Sequence, residues 1–294
     1  MKATIQFIAS MAIFGTIGLV VRHIDLAASE RALFSSAIGA LFLFALFKLM
    51  KRRFSSAALR QNIVLLICSS IALAGNWIFL YASYDYTTIA NATLGYYFAP
   101  VFVMLLAPLL LKERLMRKKV ICIIFAIFGL MLIVLEGVQA SHVDDMLGIS
   151  FGLSAAFFYA ALMMINQFVR NVDKLEWTIV QLSVTALLLM PYVFLTEGFD
   201  IFTVSASSIP FIFILGIVNT GLGFWLFFAS MKNMSGQRIA MLSYVDPFVA
   251  IFISAIILQE HMTALQISGG IILLLATLFS ELSVSRILRR RKMA

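Results

Sequence analysis

Two stretches of this chain, residues 97–113 (YFAPVFVMLLAPLLLKE) and residues 244–260 (YVDPFVAIFISAIILQE), decide how it is built. They align without a gap at an offset of 147 residues, from Tyr97 to Tyr244. Each opens on Tyr, reaches proline at its fourth position (Pro100, Pro247) and closes on a glutamate, Glu113 or Glu260. The same offset brings Tyr81-Ala82-Ser83 onto Phe228-Ala229-Ser230, so the match runs through two consecutive apolar segments. A match of this kind indicates a duplicated unit.

The surrounding composition says where such a unit resides. Of the 294 residues, 62% are hydrophobic and only 12% charged, and the mean hydropathy is +1.02. Soluble domains run at about 45–50% apolar and about 25% charged residues. The 14 acids and 22 bases could not clothe a soluble surface. The chain is therefore an integral membrane protein, which excludes soluble enzymes, secreted disulfide scaffolds and disordered chains. Its formal charge of +8 does not indicate nucleic acid, because the bases sit in short clusters between apolar runs. Cys68 and Cys122 lie inside apolar runs without a partner at metal-ligand spacing and read as small buried hydrophobes.

A hydrocarbon core about 30 Å thick needs about 20 helical residues, and a helix satisfies its own backbone polar groups there. Charge-free runs at 3–21, 32–47, 61–84, 86–111, 120–135, 146–169, 177–196, 201–231, 239–259 and 262–280 meet that need, the ninth interrupted by Asp246. Arg31, Lys48 and Lys119 extend the two shorter runs by snorkelling. The first run is too long for a signal peptide and lacks a small-residue cleavage site, so it reads as a retained helix. Threading ten spans from a cytoplasmic N-terminus leaves Arg22 and Arg31 as the two bases outside and the rest inside. The positive-inside rule then predicts both termini in the cytoplasm. With five spans per copy, the second copy must enter from the opposite side. The expected fold is an all-α membrane protein of ten transmembrane helices in two inverted five-helix repeats. These occupy residues 1–137 and 147–294, joined by an outer-side linker at 138–146, and a basic cytoplasmic tail ends the second.

With these residues in view, the chain resembles the EamA-type transporters of the drug/metabolite transporter superfamily. The resemblance rests most on the helix with a central proline closing on Leu111-Lys112-Glu113-Arg114-Leu115 and again on Leu258-Gln259-Glu260-His261-Met262, and it extends over nearly the whole chain. It implies a central cavity lined by helices 1, 3, 4, 6, 8 and 9 and transport of small metabolites, often outward, in a bacterial inner membrane. Asp246 departs from the pattern, since the matching residue of the first copy is Ala99.

Several residues carry candidate chemistry. Trp77, Tyr81 and Tyr84 recur at i, i+4 and i+7 on helix 3, and Tyr159, Met163 and Asn166 do so on helix 6. Helix 4 adds Asn91, Thr93, Tyr96 and Tyr97; helix 8 adds Asn219, Thr220 and Trp225. Lipid offers no partner to an amide, so Asn76, Asn166 and Asn219 must face the bundle interior or a watery cavity, as interhelical ties or as binding groups. The expected substrate-binding set is Asp246, Trp77, Tyr81, Asn76, Tyr97, Tyr159, Asn166, Asn219, Trp225 and Tyr244. Pro100 and Pro247, each removing a backbone donor from mid-helix, are the expected hinges. Glu113 and Glu260 read as caps or loop ties, Gly148-xxx-Gly152 as a packing motif, and His23, His142 and His261 as outer-side loop residues with no metal spacing. Arg289, Arg290, Arg291 and Lys292 are expected at the anionic inner leaflet.

Asp246 stands out because an acid at mid-membrane costs about 2.5–3.5 kcal/mol on insertion scales. Arg238, eight residues away at about 1.5 Å per residue, is about 12 Å distant along the helix, too far for a salt bridge. Asp246 therefore reads as the group that binds a cationic substrate or carries a coupling proton, with a neutral, hydrogen-bonded structural role as the alternative. No GxxxxGK[ST] segment exists in the chain, so P-loop ATP hydrolysis is excluded. The expected function is a secondary transporter, an exporter of amino acids, amines or drugs working by alternating access. Its expected partners are a small-molecule substrate, membrane lipid and a coupling proton, with no nucleic acid, cofactor or metal, in a monomer or weak homo-oligomer. The alternatives are a lipid-linked carrier flippase of the same superfamily and, with no cluster of nucleophile, base and metal ligands to favour it, an intramembrane enzyme.

Overall fold

The computed structural model describes residues 2–52, 54–111, 117–139, 143–198, 204–231, 234 and 236–291. Among these residues the regular secondary structure is all helical, with no strand. Glu113, His142 and Lys292 lie outside the described residues.

The first span is α1 (Lys2–Gly15) and α2 (Ile17–Val21), separated by a step at Thr16. Then come α3 (Ala28–Leu49), the short α4 (Ser56–Gln61) and α5 (Ile63–Tyr86). The next segment is split into α6 (Ile89–Tyr96) and α7 (Ala99–Leu111), followed by α8 (Arg117–Gln139). The second half holds α9 (Val143–Gln167) and α10 (Lys174–Thr196). It continues with α11 (Ile209–Phe213), a π-helical stretch Ile214–Leu222 and α12 (Gly223–Met231) in one run. Last come α13 (Gly236–Leu242), α14 (Val245–Phe252) with a π-helical end Ile253–Ile257, and α15 (Ala264–Arg291).

Seven helices among the described residues are long and apolar enough to cross a membrane, and Val245–Ile257 and Ala264–Ser280 are shorter apolar helices. α9 begins at Val143, inside the segment expected as a linker. Large apolar side chains cover the outside, for example Leu41, Val64, Ile124 and Leu187, as lipid contact demands. Cys68 is exposed on that surface rather than buried, and Cys122 is half-buried.

Packing fixes which elements meet around the centre. α5 packs along α9 and α1 along α12; α6 packs on α9 and α1 on α14; α3 packs on α10, α8 on α15 and α6 on α14. The packing reading of Gly148-xxx-Gly152 fits this arrangement: a Cβ at Gly152 would lie 2.9 Å from the Ala92 carbonyl oxygen, so α6 and α9 approach backbone to backbone only because that residue is glycine. Gly15 does the same for α1 and α14, where a Cβ would lie 2.7 Å from the Asp246 carbonyl oxygen. Two apolar clusters result, one around Leu43, Tyr81, Ile89 and Leu182, the other around Leu94, Val101, Ile133 and Leu273.

Both prolines expected in mid-helix sit elsewhere. Tyr97 and Phe98 form a turn between α6 and α7, and Ser243 and Tyr244 form one between α13 and α14. Pro100 is the second residue of α7 and Pro247 the third of α14. In a first turn the missing N–H has no intrahelical partner to lose, so neither proline breaks a hydrogen bond of a continuous helix. Each instead starts a new helix after a break.

A tyrosine and carboxylate site at two helix breaks

The break before α14 sets the direction in which Asp246 points. Phe248, Phe252 and Ile256 are 76%, 55% and 61% exposed and form a lipid-facing stripe at helical spacing. Asp246 precedes Phe248 by two residues, about 200° around a helix of 3.6 residues per turn, so it faces away from that stripe into the bundle. Its side is covered by α1 and α6, and the residue is half-buried.

There Asp246 meets the other break. Tyr97 Oη–H donates to Asp246 Oδ2 at 2.7 Å, and the same hydroxyl lies 3.4 Å from the Ser243 carbonyl oxygen. The Tyr97 ring is 6.2 Å from the ring of Tyr244, whose hydroxyl donates to Thr277 Oγ1 at 2.9 Å. Tyr96 stands edge-on to Tyr97 at 6.1 Å and lies 5.3 Å from Tyr159 on α9. Tyr84 on α5 and Tyr96 are also within electrostatic reach of the carboxyl group. Among the described residues, the ion pairs that the structure displays lie elsewhere and leave Asp246 without a basic partner. An interior carboxylate beside tyrosine hydroxyls and π-faces can attract an organic cation or exchange a proton.

Of the expected site residues, Asp246, Tyr97, Tyr159 and Tyr244 come together here. Asn76 on α5, 1% exposed, donates to the Ala155 carbonyl oxygen at 2.8 Å, an α5–α9 tie, and also hydrogen-bonds to Tyr96. Trp77 and Tyr81 stack at 6.2 Å within the first apolar cluster. The Tyr81 hydroxyl donates to Ser35 Oγ at 3.2 Å, which in turn lies 2.7 Å from Thr220 Oγ1, a buried polar chain linking α5, α3 and the π-helical stretch. Asn219 donates to the Ile13 carbonyl oxygen at 2.7 Å and to Thr16 Oγ1 at 2.9 Å, holding the step in the first span. Asn166 accepts from Trp177 Nε1 at 3.1 Å. Trp225 is half-buried against the first cluster. Of these six, Asn76 reaches the tyrosine cluster through Tyr96, while the partners described for the other five lie outside it. Tyr84 and Tyr96 lie within electrostatic reach of the carboxylate; the stripe on helix 3 named the first and the polar and aromatic residues of helix 4 the second.

A second polar constellation lies at the end of the molecule that carries Asp25, Glu30 and Asp85. Arg22, following α2, forms an ion pair with Glu260. Its Nε donates to the Tyr84 carbonyl oxygen at 3.2 Å and its Nη2 to that of Thr87 at 2.6 Å. Glu260 Oε2 accepts from the Ile89 N–H at 3.0 Å and from Ser254 Oγ at 2.5 Å. The expectation of Glu260 as a loop tie matches this geometry. At the same end Arg31 Nη1 lies 2.8 and 3.0 Å from the two Asp85 oxygens. The exposed His23 stacks on Phe211, with ring centroids 4.6 Å apart. Among the described residues no group of three or more His, Cys, Asp or Glu could hold a metal ion.

Comparison with known proteins gives these features a context. The model of the EamA-like transporter family matches residues 1–135 and again residues 146–282. The chain is 27% identical to the uncharacterized transporter YxxF of Bacillus subtilis (strain 168), over 86% of this chain and 81% of that protein. It is 26% identical to a probable amino-acid metabolite efflux pump of Salmonella typhimurium, over 59% of this chain and 60% of that protein. It is also 26% identical to the pseudopaline exporter CntI of Pseudomonas aeruginosa, over 71% of this chain and 80% of that protein. A solved crystal structure superposes with a TM-score of 0.66 at 18% identity, covering 98% of both chains.

Proposed function

Because the chain belongs to the EamA-like transporter family, we propose that it is a secondary transporter exporting small organic metabolites by alternating access, with Asp246 and its tyrosines as the binding site. Its cargo is a metabolite with a cationic or aromatic group, such as an amine, an amino acid or a drug, and the proton gradient drives export through Asp246. The protein is not an enzyme. It works in a bacterial inner membrane with both termini in the cytoplasm.

The observation that carries the reading is the bond between Tyr97 and Asp246, because it joins the two helix breaks inside the bundle. Discontinuous helices meeting near the midplane, at the interface of two related halves, are a recurrent way to build a transport site. The packing pattern supports two halves of five helices related by inversion. Exchanging the halves turns the α5–α9 contact into α12–α1 and the α6–α9 contact into α14–α1, while α3–α10, α8–α15 and α6–α14 map onto themselves. The breaks that begin anew at Pro100 and Pro247 are the places where rocking would bend the chain. Purified protein screened by thermal shift against amino acids, amines, nucleosides and drugs tests the reading. A ligand that binds only the folded state raises its stability by mass action, and the reading requires that Asp246→Asn weaken this stabilisation while the unliganded protein stays folded.

A further inference from the structure

The Arg22–Glu260 ion pair is built unlike an ordinary surface salt bridge. The Glu260 side chain is only 10% exposed and that of Arg22 27%, and beside each other and the Ser254 hydroxyl on Glu260 their partners are backbone groups at helix ends. Tyr84 and Thr87, whose carbonyl oxygens Arg22 binds, lie at the C-terminus of α5. The carbonyls of a last helical turn lack intrahelical donors and carry the negative end of the helix dipole, so a guanidinium suits them. Ile89, whose N–H donates to Glu260, is the first residue of α6. First-turn N–H groups lack acceptors and carry the positive end, so a carboxylate suits them. The two ends face each other across the turn at Thr87 and Thr88, and the ion pair closes the gap between them.

Glu260 is also the charge of the pair that comes from the second half. It follows the π-helical end of the α14 segment and holds Ser254 of that segment, whereas Arg22, Tyr84, Thr87 and Ile89 belong to the first half. Thr87 is gripped from the second half as well, its Oγ1 donating to Asp145 Oδ1 on α9 at 2.5 Å. Arg22 belongs to a stretch that the second half repeats: Val21-Arg22-His23-Ile24-Asp25 corresponds to Val169-Arg170-Asn171-Val172-Asp173.

We infer that Arg22 and Glu260 form a gate that holds the acidic end of the transporter shut between Asp246 and the solution. Opening that end requires Glu260 to leave Arg22 and the Ile89 N–H together, because they lie on opposite sides of the seam between the halves. Each departure strands a charge matched to a helix end, so the closed arrangement is favoured until cargo shifts the balance.

The test reads access to the interior. Thr93, 4% exposed, lies one turn beyond Ile89 on α6, between the ion pair and Tyr97. A Thr93→Cys reporter is placed in the full chain with Cys68→Ser and Cys122→Ala. It is reacted with a membrane-impermeant methanethiosulfonate in vesicles of both sidedness. Arg22→Gln and Glu260→Gln are each expected to raise the labelling rate about ten-fold, the factor that corresponds to about 1.4 kcal/mol of lost bias toward the closed state. The gain appears only from the side facing the acidic end. Arg22→Lys keeps the charge but cannot reach Glu260 and both carbonyls at once, so its rate falls between wild type and Arg22→Gln; it also serves as the reporter background if either Gln variant fails to fold. An unchanged rate in the folded variants, or a gain from the opposite side, overturns the inference. A gain without any ligand-dependent stabilisation of the wild type would leave the gate standing and remove the transport reading instead.

Discussion

Tyr97 and Asp246 sit at corresponding helix breaks in the two halves and are joined by a 2.7 Å hydrogen bond across 149 residues of sequence. Tyr97 is the copy of Tyr244, but Asp246 replaces Ala99, so the duplicated frame carries its carboxylate on one side only. Any cargo that takes the carboxylate must displace or share this hydroxyl. Tyr97→Phe keeps the ring contacts with Tyr96 and Tyr244 and removes the donor. Hydrogen bonds to charged groups contribute about 1.5–3 kcal/mol, so this variant is expected to unfold at lower temperature and to change ligand affinity measurably by titration calorimetry. An unchanged affinity would show that cargo does not compete for the Asp246 oxygen that Tyr97 binds.

Gly15 lets α1 rest against α14 at the level of the Asp246 carbonyl. Gly15→Ala places a methyl group 2.7 Å from that oxygen and 2.7 Å from Val249 Cβ, and neither can retreat without shifting the helix. Overpacking of this kind costs about 1–3 kcal/mol. The variant is expected to lose thermal stability and ligand binding together. Gly198→Ala, where a Cβ meets nothing within 4 Å but φ is +74°, is strained by its backbone and is expected to lose stability without losing ligand binding.

The aromatic residues of the sequence stripes separate into two kinds. Tyr81 is 1% exposed and tied to Ser35, so Tyr81→Ala is expected to cost about 3–5 kcal/mol, as truncation of a packed aromatic does, and folded yield should fall. Trp225 is half-buried, and Trp225→Ala should leave folded yield nearly intact. Size-exclusion profiles of the two variants check the contrast; equal loss would place Trp225 in the core as firmly as Tyr81.

Orientation is checked with single cysteines in intact cells. Thr196 ends α10 on the acidic side, and Ser55 lies between α3 and α4 among the bases Lys51, Arg52 and Arg60. Thr196→Cys should react with an impermeant thiol reagent and Ser55→Cys should not. Ser141, another outer-side position expected from the sequence, lies outside the described residues. Labelling at 55 from outside would reverse the orientation.

The apolar helices were legible in the sequence because lipid permits little besides charge-free helical runs, and the family resemblance followed from the paired motifs ending at Glu113 and Glu260. The inner geometry was less so. Proline at equivalent positions suggested a kink within a helix, yet the same residue suits the first turn of a new one, and local pattern does not separate the two. Asp246 was visible as a charge out of place, and Tyr97 and Tyr244 as its neighbours in the repeat. The Arg22–Glu260 pair was not visible, since its members are 238 residues apart and their fit depends on the ends of α5 and α6. Asn219 and Asn166 were legible as interior amides, but whether an interior amide faces cargo or a carbonyl is decided by neighbours that only the fold supplies.

The central claim is that cargo export is coupled through the Asp246 carboxyl, and it is tested most directly in proteoliposomes carrying a pH gradient, using the ligand that stabilises the wild type. Asp246→Asn keeps the size and the hydrogen bonding to Tyr97 but can neither ionise nor carry a proton. The account predicts that the wild type accumulates the ligand against its gradient, whereas the folded Asn variant abolishes accumulation. An Asp246→Asn protein that accumulates it as the wild type does, at every pH, would contradict the account.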